Sequence, residues 1–98
     1  MGAVDFDYLE GFAAGDRRVV TEVLELFLIE AKDWLERLDG PGWADLLHTM
    51  KGAGRGVGAH ALGEICERAE VDGREMAPDV RTALAATVAE IEAYLTAA

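Results

Sequence analysis

His48 is followed three residues on by Lys51, four on by Gly52 and seven on by Arg55. On a helix those spacings share one face. With His48 at zero and about 100° per residue, Lys51 falls near −60°, Gly52 near +40° and Arg55 near −20°. Ala44 and Asp45 lie at the margins of the same side. Leu46, Met50, Ala53 and Val57 fall within about 40° of the opposite direction. If the apolar residues point inward, the imidazole points out. A neutral imidazole is a nucleophile, and with a reference pKa of about 6.5 the side-chain type offers that form near neutrality. Phosphoryl transfer asks the protein mainly for positioning and for neutralisation of oxygen charge, which Lys51 and Arg55 could supply. Gly52 costs about 1 kcal/mol of helix propensity against Ala, and Gly54 and Gly56 repeat the cost. Such a cost points to packing or access. Beside an exposed ring, a missing side chain leaves room for a bulky partner.

The remaining composition narrows the chemistry. The 98 residues contain no Ser, Asn or Gln, which excludes a serine nucleophile, an asparagine oxyanion hole and a glutamine that orients water. Cys66 is the single cysteine, so an internal disulfide and a thiolate metal cage are excluded, and its apolar-periodic setting makes it a core thiol. Asp45 and His48 have the spacing of a metal pair in a helical bundle. Carboxylate-bridged sites need that pair twice, and no second copy occurs, so no metal is expected. His60 has no matched partner and reads as a surface histidine. Trp34, Trp43 and Phe27 read as core rather than as a stacking platform. Nineteen acidic against nine basic residues give a net charge of −10, which repels nucleic acid and anionic membranes. A protein partner fits better. Neither a secretory signal nor a membrane-spanning run is evident, so a cytoplasmic location is expected.

The elements that must position His48 are helical throughout. A short first helix fits Asp5 to Ala13, with Phe6, Leu9 and Phe12 on one side. Asp16 is a good N-cap for a second helix through Leu38, whose Val20, Val23, Leu24, Phe27, Ala31, Trp34 and Leu38 recur at three and four. Asp39-Gly40-Pro41-Gly42 is a turn. A third helix follows from about Trp43 to Gly56, and Gly58 separates it from a fourth over about Ala59 to Val71, with Leu62, Ile65, Cys66 and Ala69 inward. Asp72-Gly73 closes the fourth. Pro78 suits the first turn of a last helix reaching about Thr96, with Val80, Leu84, Val88, Ile91 and Leu95 as its core face. Short connections favour antiparallel neighbours. The expected fold is all-α, an up-down-up-down four-helix bundle with a short N-terminal capping helix, spanning 1–98 as one domain.

His48-x-x-Lys51-Gly52-Ala53, followed by Gly58-Ala59, Leu62, Cys66 and Glu70, resembles the signature of histidine phosphotransfer (HPt) domains. The resemblance extends to Phe6-Asp7 and to Leu24-Glu25-Leu26-Phe27. It implies that His48 accepts a phosphoryl group from a receiver-domain aspartate and passes it to another receiver, in a two-component multistep phosphorelay. It further implies that Lys51 contacts the phosphoryl oxygens and that Gly52 gives clearance. The partners implied are receiver domains of a hybrid histidine kinase and of a response regulator. The Mg²⁺ of transfer belongs to the receiver, and no cofactor is needed here. The family's docking surface surrounds the histidine and uses exposed apolar residues of the first two helices, which places Leu9, Phe12, Ala44, Asp45 and Thr49 in it. Two positions depart from the family. Arg55 stands where a very small residue is frequent, and could contact phosphoryl group or receiver. Glu70 stands where some members carry a Gln that bonds the phosphoryl group; a carboxylate would repel phosphate, and is expected to orient Lys51 or Arg74.

Two classes of function stay open at the level of sequence. One is a phosphocarrier without autonomous kinase activity, since no phosphate-cradling loop is present. The other is an adaptor bundle that docks a receiver or kinase and is never phosphorylated. A kinase dimerisation domain is a weaker third, because it would need an ATP-binding domain. A monomer is expected, since the histidine face must stay free.

Overall fold

The computed structural model describes residues 2–97; the two end positions of the expected 1–98 unit lie outside them. Five α-helices carry the described chain: α1 Phe6–Phe12, α2 Arg17–Arg37, α3 Trp43–Gly56, α4 His60–Asp72 and α5 Ala77–Ala97. No strand occurs among the described residues.

Local chemistry starts and stops these helices close to where the sequence places them. The Asp5 carboxylate accepts the Tyr8 backbone N–H at 3.1 Å and opens α1. Asp16 does the same for α2, accepting from Arg18 and Val19 at 3.0 and 3.4 Å. Each cap satisfies a donor with no partner inside its helix. At the end of α3 the chain turns through Gly58, whose φ of +87° suits glycine. The Ala59 N–H there returns to the Gly54 carbonyl at 2.7 Å.

Packing fixes the histidine-bearing helix from both sides. α2 lies against α3 and α5, and α4 lies against the same two helices, so each long helix touches two others. Trp34, Leu24, Leu46, Leu47, Met50, Leu62, Leu84 and Ile91 are among the fully buried side chains between them. The body measures 38 × 21 × 20 Å. Helix α3 turns Leu46, Leu47, Met50 and Gly54 inward. Gly54 is a close-packing site, since a Cβ there would stand 3.3 Å from Leu62 Cδ2.

Several details differ from the sequence reading. Leu9 is not on the surface: it is 2% exposed, part of the core under α1. Seven residues of helix cannot bury much on their own, and the inward leucine is what holds α1 down. Phe6 adds a stacked contact with Tyr94, 4.2 Å between ring centres. Ala59 is the residue before α4 rather than its first turn. A 3₁₀ turn that the sequence reading lacked, Arg74–Met76, precedes α5, while Pro78 lies in the first turn of α5 as expected. On α5 the buried face is Val80, Leu84, Thr87 and Ile91, with Val88 and Leu95 only partly buried. Thr87 can sit there because its hydroxyl donates to the Ala83 carbonyl at 2.8 Å.

Candidate functional site

The site is built on the outer face of α3, two residues from the buried Leu46 and Met50 on either side. His48 leaves that helix into solvent with 78% of its side chain exposed. Its direction is fixed from behind, because Leu47 and Met50 lock the helix rotation. Nothing lies within 4 Å of where a Gly52 Cβ would be, and the same holds at Gly56. The glycines of α3 thus divide: Gly54 serves packing, and Gly52 and Gly56 leave open space.

The cations on this face are engaged by acidic residues of α4. Lys51 Nζ donates to Glu70 Oε1 at 2.6 Å, and its side chain is only 18% exposed. The other oxygen of Glu70 stands 3.9 Å from His48 Nδ1. One carboxylate therefore faces both the imidazole and the ammonium. Arg55 Nη2 donates to Glu67 Oε2 at 2.9 Å, one turn further along the α3–α4 seam. Arg74, the alternative partner expected for Glu70, instead donates to the Gly40 carbonyl and lies over the Trp43 ring. Beneath the pair, Cys66 is fully buried. Burial, and secondarily the Glu70 charge, push its thiol up to about 11, so it stays protonated and unreactive near neutrality.

On the α2 side of His48 the surface is apolar. Phe12, Val23, Leu26, Phe27, Trp34, Thr49, Ala53 and Val57 line an open groove of about 490 Å³. Phe12 and Leu26 are strongly exposed within it, unlike Leu9. Ala44, Asp45 and Thr49 are also exposed on α3. Leu26 was missed as a surface residue because Leu24 and Phe27 beside it define the buried stripe; its outward direction follows from its own position on the wheel. His60 lies away from this face, with Asp5 at 3.9 Å and the Tyr8 ring edge-on. Among the described residues no group of three or more His, Cys, Asp or Glu side chains is placed to hold a metal ion. No described helix is long and apolar enough to cross a membrane.

An exposed imidazole on a rigid helix, with an ammonium three residues on and no side chain at the next turn, can exchange a group with a large partner. Comparison with known proteins gives that arrangement a family. The Hpt domain family matches residues 22–94. The chain belongs to that family. No curated protein matches it. Among solved structures, the histidine phosphotransferase ShpA from Caulobacter crescentus is 56% identical, with a TM-score of 0.88. That alignment covers 97% of this chain and 92% of the other. Likeness of this order extends to the Hpt fold as a whole, including α1, which lies outside the family match.

Proposed function

We propose that this Hpt chain is a phosphocarrier of a multistep phosphorelay, with His48 as the residue that carries the phosphoryl group. The imidazole nitrogen attacks the phosphorus of an aspartyl phosphate on a receiver domain. The N–P bond forms as the acyl O–P bond breaks, and the receiver's carboxylate leaves. Onward transfer reverses these bond changes on a second receiver. The observation that carries the reading is the 78% exposure of His48 beside the open space at Gly52. Lys51 is the expected contact to the phosphoryl oxygens, and Arg55 a further contact to phosphoryl group or receiver. Each would first have to share or leave its present carboxylate partner. The Mg²⁺ of transfer is expected on the receiver, and autonomous kinase activity is not expected of this chain.

The receivers, one of a hybrid kinase and one of a response regulator, would dock over the α2–α3 groove. Its apolar lining meets the acidic outer surface at Glu30 and Asp45, the mixed composition of a protein interface with an apolar centre and polar rim. Phe12, Leu26, Ala44, Asp45 and Thr49 are the residues we assign to it, Leu26 taking the place of the buried Leu9. We take the four long helices as an up-down bundle forming one unit over 1–98, working in the cytoplasm as a monomer.

The test is incubation with a receiver domain carrying radiolabelled phosphate. The protein should acquire acid-labile, base-stable label, and His48→Ala should lose it while keeping its helicity and melting temperature. Label that never appears on the wild-type protein, although receivers bind, would favour a docking adaptor instead.

A further inference from the structure

Glu70 is placed to decide how firmly a phosphoryl group is kept. Its Oε1 accepts from Lys51 Nζ at 2.6 Å and its Oε2 faces His48 Nδ1 at 3.9 Å. The carboxylate occupies Lys51, and a phosphoryl group on His48 would need that same ammonium. Ala69 and Cys66 of its own helix are fully buried and fix the α4 face from which the carboxylate reaches the ring. The other charges nearby do not replace Lys51. Arg55 is held by Glu67, Asp45 adds negative charge on α3, and Glu30 does so from α2 across the groove.

We propose that Glu70 is a positioning residue that shortens phosphoryl retention on His48. In the unphosphorylated protein it holds Lys51 close to the helix surface, where the ammonium is mostly covered. When His48 carries phosphate, two anions compete for one ammonium. The carboxylate repels the phosphoryl oxygens and withholds part of the neutralising charge, so the phosphorylated state is raised in energy relative to a partner aspartate's. Transfer away from His48 relieves that repulsion as the N–P bond breaks. The carrier is built for passing phosphate on rather than for storing it. This inference rests on the carrier reading for its biological sense, but its chemistry can be measured without any receiver.

Phosphoramidate, which phosphorylates imidazole directly, would charge the purified full chain, and ³¹P NMR would follow the phosphohistidine signal. Glu70→Gln keeps the shape and removes the charge. Its phosphohistidine should last roughly fivefold longer, the size of a single like-charge repulsion at an exposed site. The gap between the two proteins should narrow as salt is raised, because screening acts on charge and not on shape. Glu64→Gln removes an equal charge from α4 away from His48 and should decay as wild type does. An equal or shorter lifetime for Glu70→Gln, a gap insensitive to salt, or a wild-type His48 that cannot be charged would each overturn the proposal. Failure of receivers to label a wild-type protein that phosphoramidate does charge would sink the carrier reading alone.

Discussion

At the scale of single residues, Lys51 and Glu70 carry more of the site than their distance in sequence suggests. Their ion pair links α3 to α4 at the edge of the imidazole, and neither partner is freely solvated. Lys51→Ala removes the ammonium and leaves Glu70 facing His48 with no counter-charge. We expect transfer from a phosphorylated receiver to slow by about tenfold or more, the size of one charge-assisted contact to a phosphoryl oxygen. Stopped or quenched transfer assays would read this directly, and an unchanged rate would remove the role assigned to Lys51. Fold damage is not expected to intervene, since an ion pair at the solvent edge of two helices, even partly covered, contributes only about 1 kcal/mol to stability. His48, Lys51, Gly52 and Glu70 were all legible in the sequence as members of one region. What spacing could not decide was Glu70's partner, because Lys51 and Arg74 lie on different elements. The turn at residues 39–42 decides it, drawing Arg74 to the Gly40 carbonyl at 2.9 Å.

At the scale of the element, the glycines of α3 separate two demands that look identical in sequence. A Cβ at position 52 meets nothing within 4 Å, whereas one at position 54 crowds Leu62 at 3.3 Å in a fully buried layer. Gly52→Ala should therefore raise stability by about 0.5–1 kcal/mol through helix propensity alone. Gly54→Ala gains the same propensity but must push Leu62, so it should melt below Gly52→Ala; Gly54→Val should melt below wild type. Thermal unfolding followed by circular dichroism would rank the three. The access argument predicts the opposite order for function, with a larger side chain at position 52 slowing transfer while the protein stays folded. Gly58 is a third case. Its φ of +87° and a would-be Cβ 2.5 Å from the Asp5 carbonyl make Gly58→Ala destabilising whatever the helices gain. Helix existence and the direction of His48 were readable because α2, α3 and α4 repeat apolar residues at three and four. The inward turn of Leu9 was not, because Phe6, Leu9 and Phe12 share one side of a two-turn helix, and only packing on the bundle buries Leu9 while leaving Phe12 79% exposed. Nor was the 3₁₀ turn at Arg74–Met76, which has no periodic signature of its own.

At the scale of the whole molecule, long-range contacts close the fold in ways no local pattern announces. Glu90 accepts the backbone N–H groups of Ala3 and Val4 at 2.6 and 3.0 Å, pinning the start of the chain to α5. Tyr94 donates to Glu10, which fastens α1 to the same helix. Two of the groups in this framework hold their protons more tightly folded than unfolded. Burial, then the Glu70 charge, raises the Cys66 thiol from 9.0 to about 11. The hydrogen bond to Glu10, then burial, raises Tyr94 above its usual 10.0. A group whose folded pKa is raised contributes stability that is complete below its unfolded pKa and is lost as pH climbs through the folded one. The melting temperature should accordingly fall from about pH 9 to about pH 11, with Tyr94 extending the decline upward. Cys66→Ala should flatten the first part of that limb, at a cost of about 1 kcal/mol near neutrality for the lost packing. Glu70→Gln removes the second cause of the Cys66 shift, so the limb should still begin near pH 9 but end at lower pH and span a narrower range. A melting temperature that is flat across pH 9–11 in the wild-type protein would show that neither proton is held by the fold. A limb unchanged in Glu70→Gln would show that the carboxylate at the edge of the site is not felt in the core beneath it.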